Sequence, residues 1–324
     1  MRKIALISAL VALSAQAFAD APRVAADILP VHSLVAQVMG GIGEPELILP
    51  PGDSAHHRSL RPSEARGIAG SDIIFSVGQT LNPGLAKQIG TLAGDSTLVH
   101  LDEASGTLLL PARSVKDHGQ ENHLHEHDDH DSDHEDPATQ HSEHHGDDDH
   151  AMEDAIGLDP HAWLDPENAK LWLDTIAETL ASADAANASV YFANASRGRS
   201  MIDAAKRQAH GILGPSQKIA VAHDAYQYFE HRFGLPMPLV ISDSHATAPG
   251  AAHLDEIRDV FAQAAITCVL TDPETNLTLV SRLTEGTNTA IVPLDPLGGN
   301  LQPGPDHYPQ LILHMAKTIA TCVN

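Results

Sequence analysis

Residues 218–226, KIAVAHDAY, run from a short apolar strand straight into a helix, with His223 at the junction. A strand that feeds a helix this way is half of a βα unit, and such units build parallel sheets. Outward from it, further short apolar runs at 239–241, 266–271 and 290–292 alternate with helical patterns that include 254–262. The first part of the chain repeats the theme: strands are expected at 24–28, 47–49, 73–77 and 98–101, and helices at 31–39 and 62–68.

Between the two sets lies a long helical region. Pro166 fits the first turn of a helix, and Leu171, Trp172, Ile176 and Leu180 follow at helical spacing. A second pattern runs from 184 to 212 through Tyr191, Met201 and Ala205. The reading is an α/β protein of two mostly parallel lobes, residues 20–183 and 213–324, joined by one long rigid linker helix at 184–212. About 300 residues remain once a leader is removed, more than one core comfortably serves, which agrees with two lobes.

The leader is residues 1–19. Arg2 and Lys3 precede an apolar run from Ile4 to Leu13, and small residues follow at Ala17 and Ala19. This is the pattern of a cleaved secretory signal, and the run is short of the about 20 residues that a spanning helix needs. An uncleaved anchor is the alternative; cleavage would start the mature chain at Asp20 in the periplasm. Removing Arg2 and Lys3 takes the formal charge from −24 to −26. So acidic a chain repels phosphate, which argues against nucleic acid and anionic lipid and suits a cation. The two cysteines, Cys268 and Cys322, form an even pair in an oxidising compartment and are expected to make a disulfide. Two buried thiols are the alternative, and a two-cysteine metal site lacks the usual close spacing.

Residues 117–154 break the pattern. Nearly every residue there is His, Asp, Glu or small and polar, too little apolar surface to build a core, so the stretch reads as a flexible insertion. Its histidines are His118, His123, His125, His127, His130, His134, His141, His144, His145 and His150. So many tethered imidazoles among carboxylates make a high local concentration of zinc ligands, and an auxiliary, weaker zinc site is the expectation. A solvated linker without a role is the bland alternative.

Four segments place metal-capable side chains beyond strand ends or at a helix start, where open parallel sheets bind ligands. They are PPGDSAHH at 50–57, DPHAWLDP at 159–166, AHDAY at 222–226 and PLDPLG at 293–298. Two come from each half of the chain, as a cleft between lobes requires. Three imidazoles and a carboxylate suit tetrahedral zinc, and nitrogen donors favour zinc over manganese. Asp224 and Asp165 are candidate partners that would orient the imidazoles of His223 and His161. His57 could replace its neighbour His56. Each histidine taken singly is more often a satisfied, half-buried residue or helix cap than a ligand.

These segments resemble the cluster A-I substrate-binding proteins of bacterial ABC transporters, in particular their zinc-binding, ZnuA-type branch. The resemblance covers essentially the whole mature chain and includes SAHHRSLRPSEA, DPHAWLDPENA, AHDAYQYFEHRFGL, TCVLTDPE, VPLDPLGG and the pair Cys268 and Cys322. It implies a chelatase-like fold and a metal held between the lobes by His56, His161 and His223, with Asp295 as fourth ligand. Manganese-binding relatives tend to carry Glu where this chain has His223, which points to Zn2+. Some zinc-binding relatives have a Glu just before the first histidine; here that position is Ala55, so the fourth place falls to Asp295 or a water. The resemblance further implies a monomer that hands zinc to a membrane permease with its cytoplasmic ATPase, and possible exchange with periplasmic zinc chaperones. Two other readings compete. A zinc hydrolase needs a general base and an open coordination position, and neither HExxH nor GxSxG is present. A periplasmic zinc chaperone or buffer would lack a transporter partner.

Overall fold

The computed structural model describes residues 21–113, 157–214, 218–263 and 266–322. The expected leader 1–19 and the expected insertion 117–154, with all of its histidines, lie outside the described residues. Among the described residues no helix is long and apolar enough to cross a membrane.

Among the described residues, eight parallel strands form two four-stranded sheets. The first comprises β1 (Val24–Ala26), β2 (Glu46–Leu47), β3 (Ile73–Ser76) and β4 (Thr97–His100), in the order β2-β1-β3-β4. The second comprises β5 (Ile219–His223), β6 (Leu239–Ser242), β7 (Cys268–Thr271) and β8 (Ala290–Pro293), in the order β6-β5-β7-β8. The two orders are the same topology used twice. In each the connections reverse direction between the first and third strands of the sheet, and a crevice opens there at the carboxyl ends. The central strands β1, β3 and β7 are buried throughout, while the edge strand β8 is mostly exposed, as helices on both faces of a parallel sheet require.

The helices are α1 (Leu29–Met39), α2 (Pro62–Gly70), α3 (Pro83–Ala93), α4 (Pro166–Ala183), α5 (Ala188–Ile212), α6 (Gln227–Phe233), α7 (Ala251–Gln263), α8 (Leu277–Leu283) and α9 (His307–Thr321). Four of them, α1 to α4, carry a proline at the first or second position, where its missing N–H costs nothing. Asn82 and Asp165 cap α3 and α4 by accepting from the backbone N–H of Leu85 and Glu167, at 2.9 and 2.8 Å. Helix α6 stops at Gly234, whose φ of 64° is left-handed.

The long helix α5 packs along α4 and also touches α1 and α9. Its buried Asn194 donates to the carbonyls of Val38 and Gly40, both at 2.9 Å, and so ties off the end of α1. The main core runs through the first lobe, the α4–α5 pair, the inner face of the second sheet and α9; Trp163, Trp172, Tyr191, Tyr228 and Tyr308 are fully buried in it. A smaller cluster around Ile241, Ile257, Phe261 and Val269 closes the outer face of the second sheet. The C-terminal helix returns to the first lobe, where the Tyr308 N–H donates to Ser33 Oγ at 2.9 Å and its hydroxyl to the Trp163 carbonyl at 2.7 Å. Cys268 on β7 and Cys322 at the end of α9 are disulfide-bonded.

Candidate metal centre

His56, His161 and His223 meet between the lobes, with one nitrogen of each within 4.8 Å of the others. Their ring centroids are 5.2, 5.0 and 4.9 Å apart, and all three side chains are buried. Tetrahedral zinc with bonds of about 2.0 to 2.1 Å holds its ligand nitrogens about 3.3 to 3.4 Å apart. The Nε2 atoms of His56 and His161 are 3.3 Å apart, already at that spacing.

Each imidazole is aimed by a different device. His56 sits on the loop after β2, where Asn82 Nδ2 donates to the carbonyls of Ala55 and Arg58 at 3.1 and 3.0 Å. Its Nδ1 lies 3.2 Å from the Leu81 carbonyl. A carbonyl only accepts, so Nδ1 carries the hydrogen and Nε2 presents its lone pair. His161 leads into α4, and Asp159 accepts from both its backbone N–H, at 3.0 Å, and its Nδ1, at 2.8 Å. His223 closes β5, and its Nδ1 is 2.6 Å from the Asp272 carboxylate just beyond β7. Its Nε2 is 3.2 Å from the Ser244 carbonyl.

Electrostatics divide the three. Burial, helped by the neighbouring histidines, pulls His56 down to about 2 and His161 well below its ordinary value, so both are neutral donors to a metal. Burial pulls at His223 too, but the hydrogen bond and charge of Asp272 outweigh it and leave the imidazole raised. Burial lifts Asp159 to about 7 against the pull of the His161 N–H and Arg113.

Asp295 lines the same pocket but stands outside the three-histidine cluster. Its two oxygens accept from the backbone N–H groups of Leu297 and Gly299, both at 2.8 Å. His57 is exposed, with Nε2 at 4.0 Å from Glu274. The expected orienting carboxylates need correction. Asp224 turns away from His223 to pair with Arg113, and Asp165 caps α4 and takes both arms of Arg232 at 2.6 Å. At the end of β5 successive side chains face opposite ways, so Asp224 points away from His223, whereas Asp165 is held at the start of α4 by the Glu167 N–H and Arg232. The orienting groups are Asp159, Asp272 and the Leu81 carbonyl instead. Sequence reasoning also missed Glu274, which crosses from the second lobe to accept from the Ala55 N–H at 3.1 Å, and His245, whose ring lies 6.2 Å from that of His56. The signal for Asp272 and Glu274 was their place in TDPE, directly after a strand.

The fold and the cluster together define a two-lobed α/β binding protein with a metal-competent pocket between its lobes. The model of the ZnuA family, the periplasmic component A of the zinc-uptake complex, matches residues 24–322, and the chain belongs to that family. The high-affinity zinc uptake system protein ZnuA of Brucella suis is 38% identical over 317 residues, 93% of this chain and 91% of its own. That of Paracoccus denitrificans is 36% identical over 323 residues, 99% of this chain and 97% of its own. A crystal structure of ZnuA shares the fold with a TM-score of 0.71 at 18% identity, covering 93% of this chain and 99% of the other.

Proposed function

We propose that this protein captures Zn2+ in the periplasm, holds it between its lobes and delivers it to an ABC-type zinc importer. The observation that carries the reading is the convergence of three buried imidazoles, two of them held neutral with Nε2 lone pairs aimed at a common point. Nitrogen donors with carboxylate and carbonyl partners behind them are a zinc set, where manganese prefers oxygen. Membership of a zinc-uptake family and relatives named for zinc uptake support the same metal. In this reading His56, His161 and His223 are the ligands, zinc is cargo, no substrate is turned over, and the partners are a membrane permease and its cytoplasmic ATPase. The insertion 117–154 serves as a weaker reservoir whose imidazoles pass metal inward.

Metal analysis and calorimetric zinc titration of the secreted protein test this against a His56→Ala, His161→Ala, His223→Ala variant. Wild type carries zinc, and the variant loses the tight site while keeping its fold. Manganese, or no metal, in the wild type overturns the zinc reading. The same titration on a chain lacking 118–150 loses only the weaker sites; unchanged stoichiometry defeats the reservoir.

A further inference from the structure

We propose that His245 is the fourth zinc ligand, drawn on to the ion when its loop is released from His223; this rests on the zinc reading of the site. The loop joins β6 to α7. Its first residues are wound around Asp243, which accepts from the backbone N–H of His245 and Thr247 at 3.0 and 2.9 Å, while Ala246 N–H reaches the Asp243 carbonyl at 3.0 Å. Ala246 has a φ of 55°, the one non-glycine residue in the left-handed region among the described residues. A β-carbon is disfavoured there, so the conformation persists only while its surroundings hold it.

One of those surroundings is the metal site itself. The Ser244 carbonyl, next to His245, is held by Nε2 of His223 at 3.2 Å. Nδ1 of His223 is committed to Asp272 at 2.6 Å, which leaves Nε2 as the nitrogen for an ion. A nitrogen that coordinates zinc no longer donates to a carbonyl. Zinc entry therefore cuts the bond that holds the loop at Ser244. The freed segment has room to move: a cavity of about 220 Å³ lies beneath it, lined by His223, Ala246, Pro249, Glu274 and Asn276. His245 already faces His56 at a ring distance of 6.2 Å, beyond the 4.9 to 5.2 Å of the triad, and it is half-buried where a solvent-facing loop residue would be exposed. Among the other pocket carboxylates, Asp295 caps Leu297 and Gly299 and Asp272 orients His223, while Glu274 holds the Ala55 N–H through Oε1 and keeps Oε2 buried without a hydrogen bond.

Zinc-edge X-ray absorption counts the imidazoles directly, and competition against a chromophoric chelator gives the affinity. Both are run on the full secreted chain, wild type and with His245→Ala, His245→Gln or Asp295→Asn. At one zinc per chain, wild type shows four imidazoles and both His245 variants show three with an oxygen. Their affinity falls about tenfold or more, the scale of losing a partner from a metal's ligand shell. Asp295→Asn keeps four imidazoles. Three imidazoles in wild type, unchanged in the His245 variants, overturn the proposal while the zinc reading stands. A wild-type protein that takes up no zinc overturns both.

Discussion

Asp159 and Asp27 are both fully buried carboxyl groups, and they do opposite jobs. Asp159 spends its hydrogen-bonding capacity on His161, fixing the tautomer that points Nε2 into the pocket. Asp159→Ala removes that support without touching a ligand, and zinc affinity is expected to fall about 10- to 100-fold in a chelator competition, with the melting of the metal-free protein retained. An unchanged affinity would mean that His161 is aimed by packing alone. Asp27, at the end of β1, accepts from Ile28 N–H, Ser76 Oγ and Val77 N–H at 2.8, 2.8 and 2.7 Å. Burial outweighs these bonds and lifts its carboxyl from 3.8 to about 6. Below about pH 4 the folded and unfolded chains both hold this proton; between about 4 and 6 only the folded chain does, so stability falls as pH rises through that window and levels off above it. At about 1.4 kcal/mol for each pH unit the loss is about 3 kcal/mol. Urea unfolding of metal-free wild type and Asp27→Asn from pH 4 to 7 should show the wild-type advantage shrinking by roughly that much; a widening gap contradicts the assignment.

At the scale of elements, the strands were legible because a parallel sheet covered on both faces needs short continuous apolar runs, and those runs stand out in this chain. All eight lie within two residues of their expected places at each end. Helix α3 escaped notice because its buried face is only Leu85, Ile89 and Ala93, one residue every fourth position, among glycines and polar residues. The long helix begins at Ala188 rather than 184, after a tight turn at Ala185–Asn187 whose end is held by Asp184. Besides the core it shares with the first lobe, it is tied to α1 by polar bonds. Asn194→Ala strands the buried carbonyl of Val38 and leaves that of the exposed Gly40 to water, and the expected cost is about 1 to 2 kcal/mol in denaturant unfolding. A cost below about 0.5 kcal/mol, the level of an ordinary surface change, would show that water takes over both bonds.

For the whole molecule, the C-terminal helix is a strap. Its first turn is held on the first lobe at Ser33 and Trp163, it packs on α1 and α5, and its end is bonded back to β7 through Cys268 and Cys322, 54 residues apart. In the chain-entropy account a loop of that length gives about 4 kcal/mol. Replacing both cysteines with serine should lower the denaturant midpoint by an amount equivalent to a few kcal/mol, with zinc uptake at low denaturant preserved, because neither sulfur approaches the histidines. Loss of zinc binding under native conditions would place the strap in the site's own architecture. The second use of the topology sets the site's position: His223 and Asp272 stand at the ends of the two strands that flank its crevice, and His56, on the loop after β2, meets His223 there.

The sequence by itself determined the two parallel-sheet lobes, the cysteine pair, and the presence of imidazoles at strand ends and helix starts, because these follow from apolar periodicity and local chemistry. Tertiary structure alone decided which side chains converge and what aims them. His56, His161 and His223 are separated by more than a hundred residues along the chain in one case and by more than sixty in another, and only the packing of the lobes brings them within reach. The partners behind them are Asp159, Asp272 and Leu81; Asp165 is taken by the start of α4 and by Arg232, and Asp224 is turned by its place after β5 toward Arg113. Direction at the end of a strand alternates from residue to residue, and a linear pattern does not record which way it falls.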